Sequence, residues 1–411
     1  MEAAERCLGL AERGSASVPA GRRGQFRVLL GIARLLLARQ RGNVAVVAEE
    51  AQRLRAMTDD PDAAQPGLGE ELRALALITV GITQFWAAQL EQGERHLDQG
   101  VMLAQQIGRP YLEFLGLAHQ AAIEIYRSFA RAAERSTQAI ELAERHGWTD
   151  EPAAGVAYVT LAGALAWRGG PEEAEPWLRR AERTVRAQAE PAAGMAVHYL
   201  RGRVELAHGR DAEALAALFA AERLAGRLTG PHLLVARARA SLMHVLVRLG
   251  DTERAEQALG DLSEQERERA EIRLATAVLR LAQHDPHAAA AVLGPVLDGS
   301  VPVDWPPWVA QAFLLEAIAR DALGDPAAAG RALERALDSA EPDGAFVLFL
   351  LHHAPGLLER VAGQHTAHAA LIPTSWACWP AGLTHRLAGR GRCPGRCATA
   401  RSGCCATCRP T

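Results

Sequence analysis

Thiols give the sharpest chemical signal in this chain. Six of its seven Cys lie near the C-terminus, at Cys378, Cys393, Cys397, Cys404, Cys405 and Cys408. Cys393-x3-Cys397 and Cys405-x2-Cys408 have spacings that could offer four thiolates to a tetrahedral zinc ion. The surrounding segment lacks the apolar residues needed to pack around such a site. It carries Arg386, Arg390, Arg392, Arg396, Arg401 and Arg409 and no Asp or Glu, so basic contact with nucleic acid is a second reading. Cys7 stands apart and reads as a reduced helix residue, in keeping with the cytoplasm.

Elsewhere the residue types exclude more chemistry than they offer. All 45 of the Lys and Arg residues are Arg, which removes Schiff-base catalysis and the phosphate lysine of a P-loop. No hydrolase elbow, zincin His-Glu-x-x-His or dinucleotide glycine fingerprint occurs in a usable setting. The close histidine pairs are His284/His287, His352-His353 and His365/His368. The last could share a helical face, but no carboxylate or thiol is placed to complete a metal site. We expect no catalytic residue, no cofactor and no metal. What remains is a set suited to binding: Tyr158, Trp167, His198 and Tyr199, with Trp86, Tyr111 and Tyr126, offer aromatic anchors. Arg201, Arg203, Arg237 and Arg239 could add an anion-binding stripe to the same wall. The ordinary roles of these side chains are packing between repeats and solvation of a helix face.

The elements that position these residues are set by a recurring turn. It occurs as Gly169-Gly170-Pro171, His208-Gly209-Arg210-Asp211, Leu249-Gly250-Asp251, His284-Asp285-Pro286 and Leu323-Gly324-Asp325-Pro326, about every 35 to 41 residues. Glycine can end one helix in the left-handed region, Asp can cap the next, and Pro fits its first turn. Between the turns, apolar residues follow helical spacing, as in Leu215, Leu218 and Phe219. One helix pair cannot bury both of its apolar faces, but stacked pairs bury a continuous core and line a concave surface with their first helices. The expected fold is all-α. It is a right-handed superhelical solenoid of about nine tetratricopeptide-like (TPR-like) pairs over residues 1–372, followed by a disordered Arg/Cys-rich tail over 373–411. The aromatic and arginine residues fall largely on first helices and so on the inner wall.

Charge fits a scaffold that does not bind DNA directly. Up to residue 372 there are 39 Arg against 48 Asp and Glu, a balance of −9, which is no nucleic-acid footprint. No apolar run is long enough to cross a bilayer, and the opening Met1-Glu2-Ala3-Ala4-Glu5 is unlike a basic signal-peptide start.

The residues also resemble a family. Gln99-Gly100-Val101-Met102-Leu103-Ala104, Glu144-Arg145-His146-Gly147-Trp148, Gly250-Asp251-Thr252, Asp298-Gly299-Ser300 and Ala340-Glu341-Pro342-Asp343-Gly344 together look like the MalT-like TPR region of large ATP-binding LuxR-type transcription regulators. The resemblance covers roughly residues 1–372. It implies a sensor and interaction arm set between a nucleotide-binding domain and a helix-turn-helix. Helix Glu2 to Arg13 reads as the second of a pair, so the chain is expected to be truncated at both ends. Plausible GC-rich codons across 373–381, read from the third base of the first codon, can spell a continuation of the preceding helix. Those across 403–411 can spell a string similar to the start of a LuxR helix-turn-helix. The tail is therefore expected to be an out-of-frame remnant, with a basic tail and a zinc site as alternatives. The function expected is non-catalytic: a protein or small-molecule inducer on the concave face, with self-association or an ATPase module as output. The alternative is a free-standing TPR adaptor that mediates protein–protein interactions.

Overall fold

The structure, a computed structural model, describes residues 2–58, 68–352, 354, 356 and 357. The tail with its thiols and arginines, together with His353, His365 and His368, lies outside the described residues. Within them every regular element is helical and no strand occurs. A leading helix α1 (Glu2–Gly14) precedes the pairs α2/α3 (Arg23–Gln40, Val44–Thr58), α4/α5 (Leu68–Trp86, Leu90–Gln106) and α6/α7 (Pro110–Glu124, Phe129–His146). Next come α8/α9 (Pro152–Trp167, Pro171–Thr184), α10/α11 (Pro191–Ala207, Asp211–Ala225) and α12/α13 (Val235–Arg248, Thr252–Gly260). A four-residue helix α14 (Glu264–Arg267) leads into α15/α16 (Ala270–Ala282, Pro286–Leu297) and α17/α18 (Pro306–Ala322, Pro326–Ala340). The short α19 (Val347–Leu351) follows. The result is the all-α, TPR-like solenoid expected from the repeat spacing.

The turns work as their residues dictate. Gly169, Gly209, Gly250 and Gly324 all have positive φ, between 74° and 88°, and His284 takes the same place at φ 60°. Asp251, Asp285 and Asp325 then cap α13, α16 and α18, each accepting the backbone N–H three residues on, at 2.9 to 3.1 Å. Asp211 departs from this pattern: it lies inside α11, and its carboxylate pairs with Arg248 at 3.0 Å.

One element differs from the periodicity. A single helix is expected over Glu264 to Gln283, yet the chain breaks at Arg269, whose backbone is extended. Ser263 and Glu266 form a reciprocal capping box that starts α14. The run Glu264 to Arg269 has no apolar side chain to bury, so nothing holds it in line with α15, which is buried from Ala270 onward.

Burial separates inner from outer helices. In α8 fourteen of sixteen residues are buried, against five of fourteen in α9, so first helices are surrounded and second helices keep one solvated face. The winding is tight enough for several early pairs to touch elements about four or five pairs further along. Thr229 N donates to Arg41 O at 3.0 Å and Leu233 N to Trp86 O at 2.8 Å. Gly230 approaches so closely that a Cβ there would sit 2.3 Å from the Gly42 carbonyl oxygen. Near the other end, Phe129 N donates to both carboxylate oxygens of Asp343, at 2.8 and 2.9 Å. Helix α19 is buried throughout and packs on α8, α10 and α17. The open concave surface expected of a solenoid is thus largely covered by the chain itself.

Candidate ligand chamber in the helical interior

At the centre of the interior sits Trp305, delivered by the long connection between α16 and α17. It is 2% exposed. Its indole Nε1 donates to the Ile125 carbonyl at 3.1 Å, and its ring meets Trp167 edge-on, with centroids 4.5 Å apart. Tyr126, Phe129 and Trp308 complete the aromatic cluster. Two small cavities adjoin it and share Tyr199 and Arg237 as walls. The first, about 30 Å³, is lined mainly by α10, α12, α15 and α17, with Arg203, Arg237, Ser241, His244 and Gln311 supplying polar groups. The second, about 80 Å³, is apolar, between Phe85, Trp86, Val159, Trp167, Leu200 and Trp305.

The charge distribution in the first cavity is one-sided. Arg203 is 8% exposed and Arg237 5%, and among the described residues neither guanidinium forms an ion pair. Arg203 Nε and Nη2 and Arg237 Nε have no hydrogen-bond partner. Arg237 Nη1 donates to the Tyr126 hydroxyl at 2.9 Å. Its guanidinium lies 4.7 Å from the Tyr126 ring centre, 4.8 Å from Trp305 and 4.4 Å from Trp308. Arg203 lies 4.6 Å from the Trp167 ring. Such ring contacts contribute about 0.5–2 kcal/mol each, whereas an unpaired buried ion costs several kcal/mol. Burial accordingly lowers the Arg203 pKa. The one carboxylate on the cavity wall, Glu271, is already held by Arg269 at 2.7 Å.

Nearby histidines add no negative charge. The His244 and His352 rings stack 4.8 Å apart and 3° from parallel. Gln311 Nε2 donates to His352 Nε2 at 2.9 Å, which requires that nitrogen to be unprotonated. Burial, reinforced by Arg203 and Arg248, pushes His352 down to about 3. Burial and the neighbouring His352, Arg248 and Arg203 hold His244 well below the usual histidine value. Tyr126 is pushed up to about 12 by burial, against the opposing pull of Arg237.

The residues expected on one inner wall divide in two. Trp167, Tyr199, Arg203 and Arg237 come together at the chamber, along with Trp86 and Tyr126. Tyr158 is buried within its own pair, its hydroxyl donating to Thr149 O at 3.2 Å and its ring near Trp177. Arg201 is held by Glu175 (2.6 Å), Glu182 (2.7 Å) and Glu205 (3.2 Å). Burial alone would lower its pKa, but Glu182 and Glu175 outweigh it and raise it. Arg239 pairs with Glu222 and Glu266. His198 is half-buried away from both cavities, its pKa lowered by burial. Tyr111 is 39% exposed beside Trp148.

Residues 29–355 match the family described as the MalT-like TPR region. The chain belongs to that family. Two solved structures share the fold of this MalT-like region. One is the apo form of the quorum sensor NprR from B. thuringiensis, with 14% identity, 82% of this chain and 93% of that chain covered, and a TM-score of 0.51. The other is a Rap protein complexed with Competence and Sporulation Factor, with 14% identity, the same coverage and a TM-score of 0.55. At such identity they show the fold alone. No curated protein matches the sequence.

Within the MalT-like region, sequence reasoning missed the central residues Trp305, Phe129, Gln311 and Asp343, and named His352 only as half of a histidine pair. A signal for the first was present: Trp305-Pro306-Pro307-Trp308 places two large rings at a helix start beside a long connection, where solvent exposure of both would be costly. Among the described residues no helix is long and apolar enough to cross a membrane, and no group of three or more His, Cys, Asp or Glu could hold a metal.

Proposed function

We propose that this MalT-like region is a non-catalytic sensor and interaction arm of a LuxR/MalT-type transcription regulator, working in the cytoplasm. Its inducer, a small molecule or a protein segment, occupies the interior chamber. The observation that carries this reading is the origin of the chamber walls, which come from seven helices, α4, α6, α8, α10, α12, α15 and α17. An occupant therefore touches both layers of the winding at once. Binding tighter to one degree of closure than to another shifts the population between them. The closing contacts at Trp305, Asp343 and Leu233 are the ones such a shift makes or breaks. The changed surface would then alter self-association or docking on an ATPase module, with no DNA contact by this chain. The use of the same fold in a quorum sensor, and in a Rap protein solved with a bound factor, supports a sensing role.

The test is a thermal-shift screen of small metabolites on the purified chain, followed by small-angle X-ray scattering and light scattering with each hit. A true inducer raises the melting temperature and changes the dimensions or the association state. It also loses its effect in Ala196→Leu, which fills the apolar cavity from α10. A hit that binds the filled variant equally well, or stabilises without changing shape or association, defeats the sensor reading. A partner protein retained equally with and without the hit assigns the adaptor role instead.

A further inference from the structure

We infer that the chamber takes a small organic acid, a carboxylate on a compact apolar body, with its charged head between Arg203 and Arg237. The inference rests on the sensor reading above and names the ligand class for that site. Three observations point to it. First, Arg203 and Arg237 are both more than nine-tenths buried and line the same cavity, yet three of their nitrogens have no hydrogen-bond partner. A planar guanidinium fork matches a carboxylate, and such charge-assisted bonds are the strong ones. Second, other charged groups in reach do not fill that role. Glu271 is engaged by Arg269, and Glu175, Glu182 and Glu205 are engaged by Arg201 on another face of α10. Third, the polar cavity opens next to an apolar one with which it shares Tyr199 and Arg237. That pairing of a few convergent polar groups with an aromatic-lined hollow is the usual make-up of a small-molecule site.

Size narrows the class. At about 10–15 Å³ per water-sized group, the 30 and 80 Å³ cavities hold roughly two and six such groups. The head cavity suits one carboxylate, and the apolar cavity suits a ring or a branched alkyl group. Trp167, Trp305 and Tyr126 would flank that body. Volumes of this size accommodate a small free acid better than a longer peptide, so the free acid is the occupant the chamber favours.

The experiment is isothermal titration calorimetry of the full chain with benzoate, its neutral isostere benzamide, inorganic phosphate, and a tetrapeptide ending in a free phenylalanine carboxylate. Tryptophan fluorescence follows the same titrations, since four indoles border the cavities, those of Trp86, Trp167, Trp305 and Trp308. Benzoate is expected to bind at least 10-fold tighter than benzamide, and Arg203→Gln and Arg237→Gln should each reduce benzoate to the level of benzamide. The comparison of benzoate with benzamide on the unaltered protein keeps the test decisive if either variant misfolds. Equal binding of the two, lost in Ala196→Leu, overturns the acid while leaving the sensor chamber intact. Phosphate binding without benzoate overturns the two-part ligand, and a tetrapeptide tighter than benzoate overturns the free acid. No binding of any probe overturns both the acid and the chamber.

Discussion

Trp305→Ala is the substitution that most directly tests whether the interior closure holds the stack together. The side chain is 2% exposed and touches residues of α7, α8, α12 and α17 as well as the backbone after α6. A buried indole removes about 150–250 Å² from water. At about 25 cal/mol per Å² this contributes roughly 4–6 kcal/mol, an upper bound because the unfolded chain already hides part of that area. Measured truncations of buried aromatics to Ala fall near 3–5 kcal/mol, and we expect that range. Trp305→Phe keeps most of the ring but removes the bond from Nε1 to Ile125 O, and should cost about 1–2 kcal/mol. Urea unfolding followed by far-ultraviolet circular dichroism and by fluorescence is the assay. Repeat stacks unfold in steps once their internal coupling weakens. The Ala variant should therefore show two probes with separate midpoints where the parent shows one. A loss below about 1 kcal/mol, with midpoints still coincident, would refute the claim that this side chain couples pairs five repeats apart.

Three further outcomes follow from local geometry. His284 is exposed and holds a left-handed backbone that costs a side-chain-bearing residue about 1–2 kcal/mol; His284→Gly should stabilise by about 0.5–1 kcal/mol after the added unfolded-state entropy, and a lower melting temperature would contradict this. Asp343 supplies the first N–H of α7 with its acceptor from across the winding; Asp343→Ala should cost about 0.5–2 kcal/mol and speed amide exchange at Phe129, and unchanged exchange there would count against it. Burial pushes His119 down to about 4, and His232 and His352 to about 3. Each ring is neutral when folded but takes a proton when unfolded below about pH 6.5. Stability is thus fully present above that pH and falls below it, by about 1.4 kcal/mol per pH unit for each histidine. Urea midpoints at pH 7.5 and pH 5 should differ by the equivalent of several kcal/mol, and a flat profile would show that the rings are reached by solvent.

Turns, caps and pairing were legible in the sequence because each depends on a few adjacent residues. The left-handed position favours a glycine, the cap needs an oxygen three residues before an N–H, and both recur with the repeat. Even His284 kept its place, because Asp285 and Pro286 beside it still specified the next helix. The break at Arg269 was not legible, since no residue there forbids helix; only the lack of anything apolar to bury before Ala270 distinguishes it.

The arginine stripe shows where the limit lies. Arg201 and Arg203, like Arg237 and Arg239, are two residues apart on a helix, which turns about 200° over that spacing. One member of each couple must therefore face away from the other, so four residues could not share one wall. Which member turned inward depends on its surroundings. Glu175 and Glu182, two helical turns apart on α9, draw Arg201 to the neighbouring outer helix, and Glu222 and Glu266 do the same for Arg239. Arg203 and Arg237 are left facing the interior by exclusion. What they meet there is set by the pitch of the winding, which brings Trp305 against Ile125 and α19 against α10. Pitch is the sum of many small rotations between Ala- and Gly-rich helix faces, and no single residue encodes it. Tyr126 from across the winding meets Arg237 and Trp167 of the neighbouring pair meets Arg203, so the two guanidiniums are buried against π faces that stabilise their charge without neutralising it.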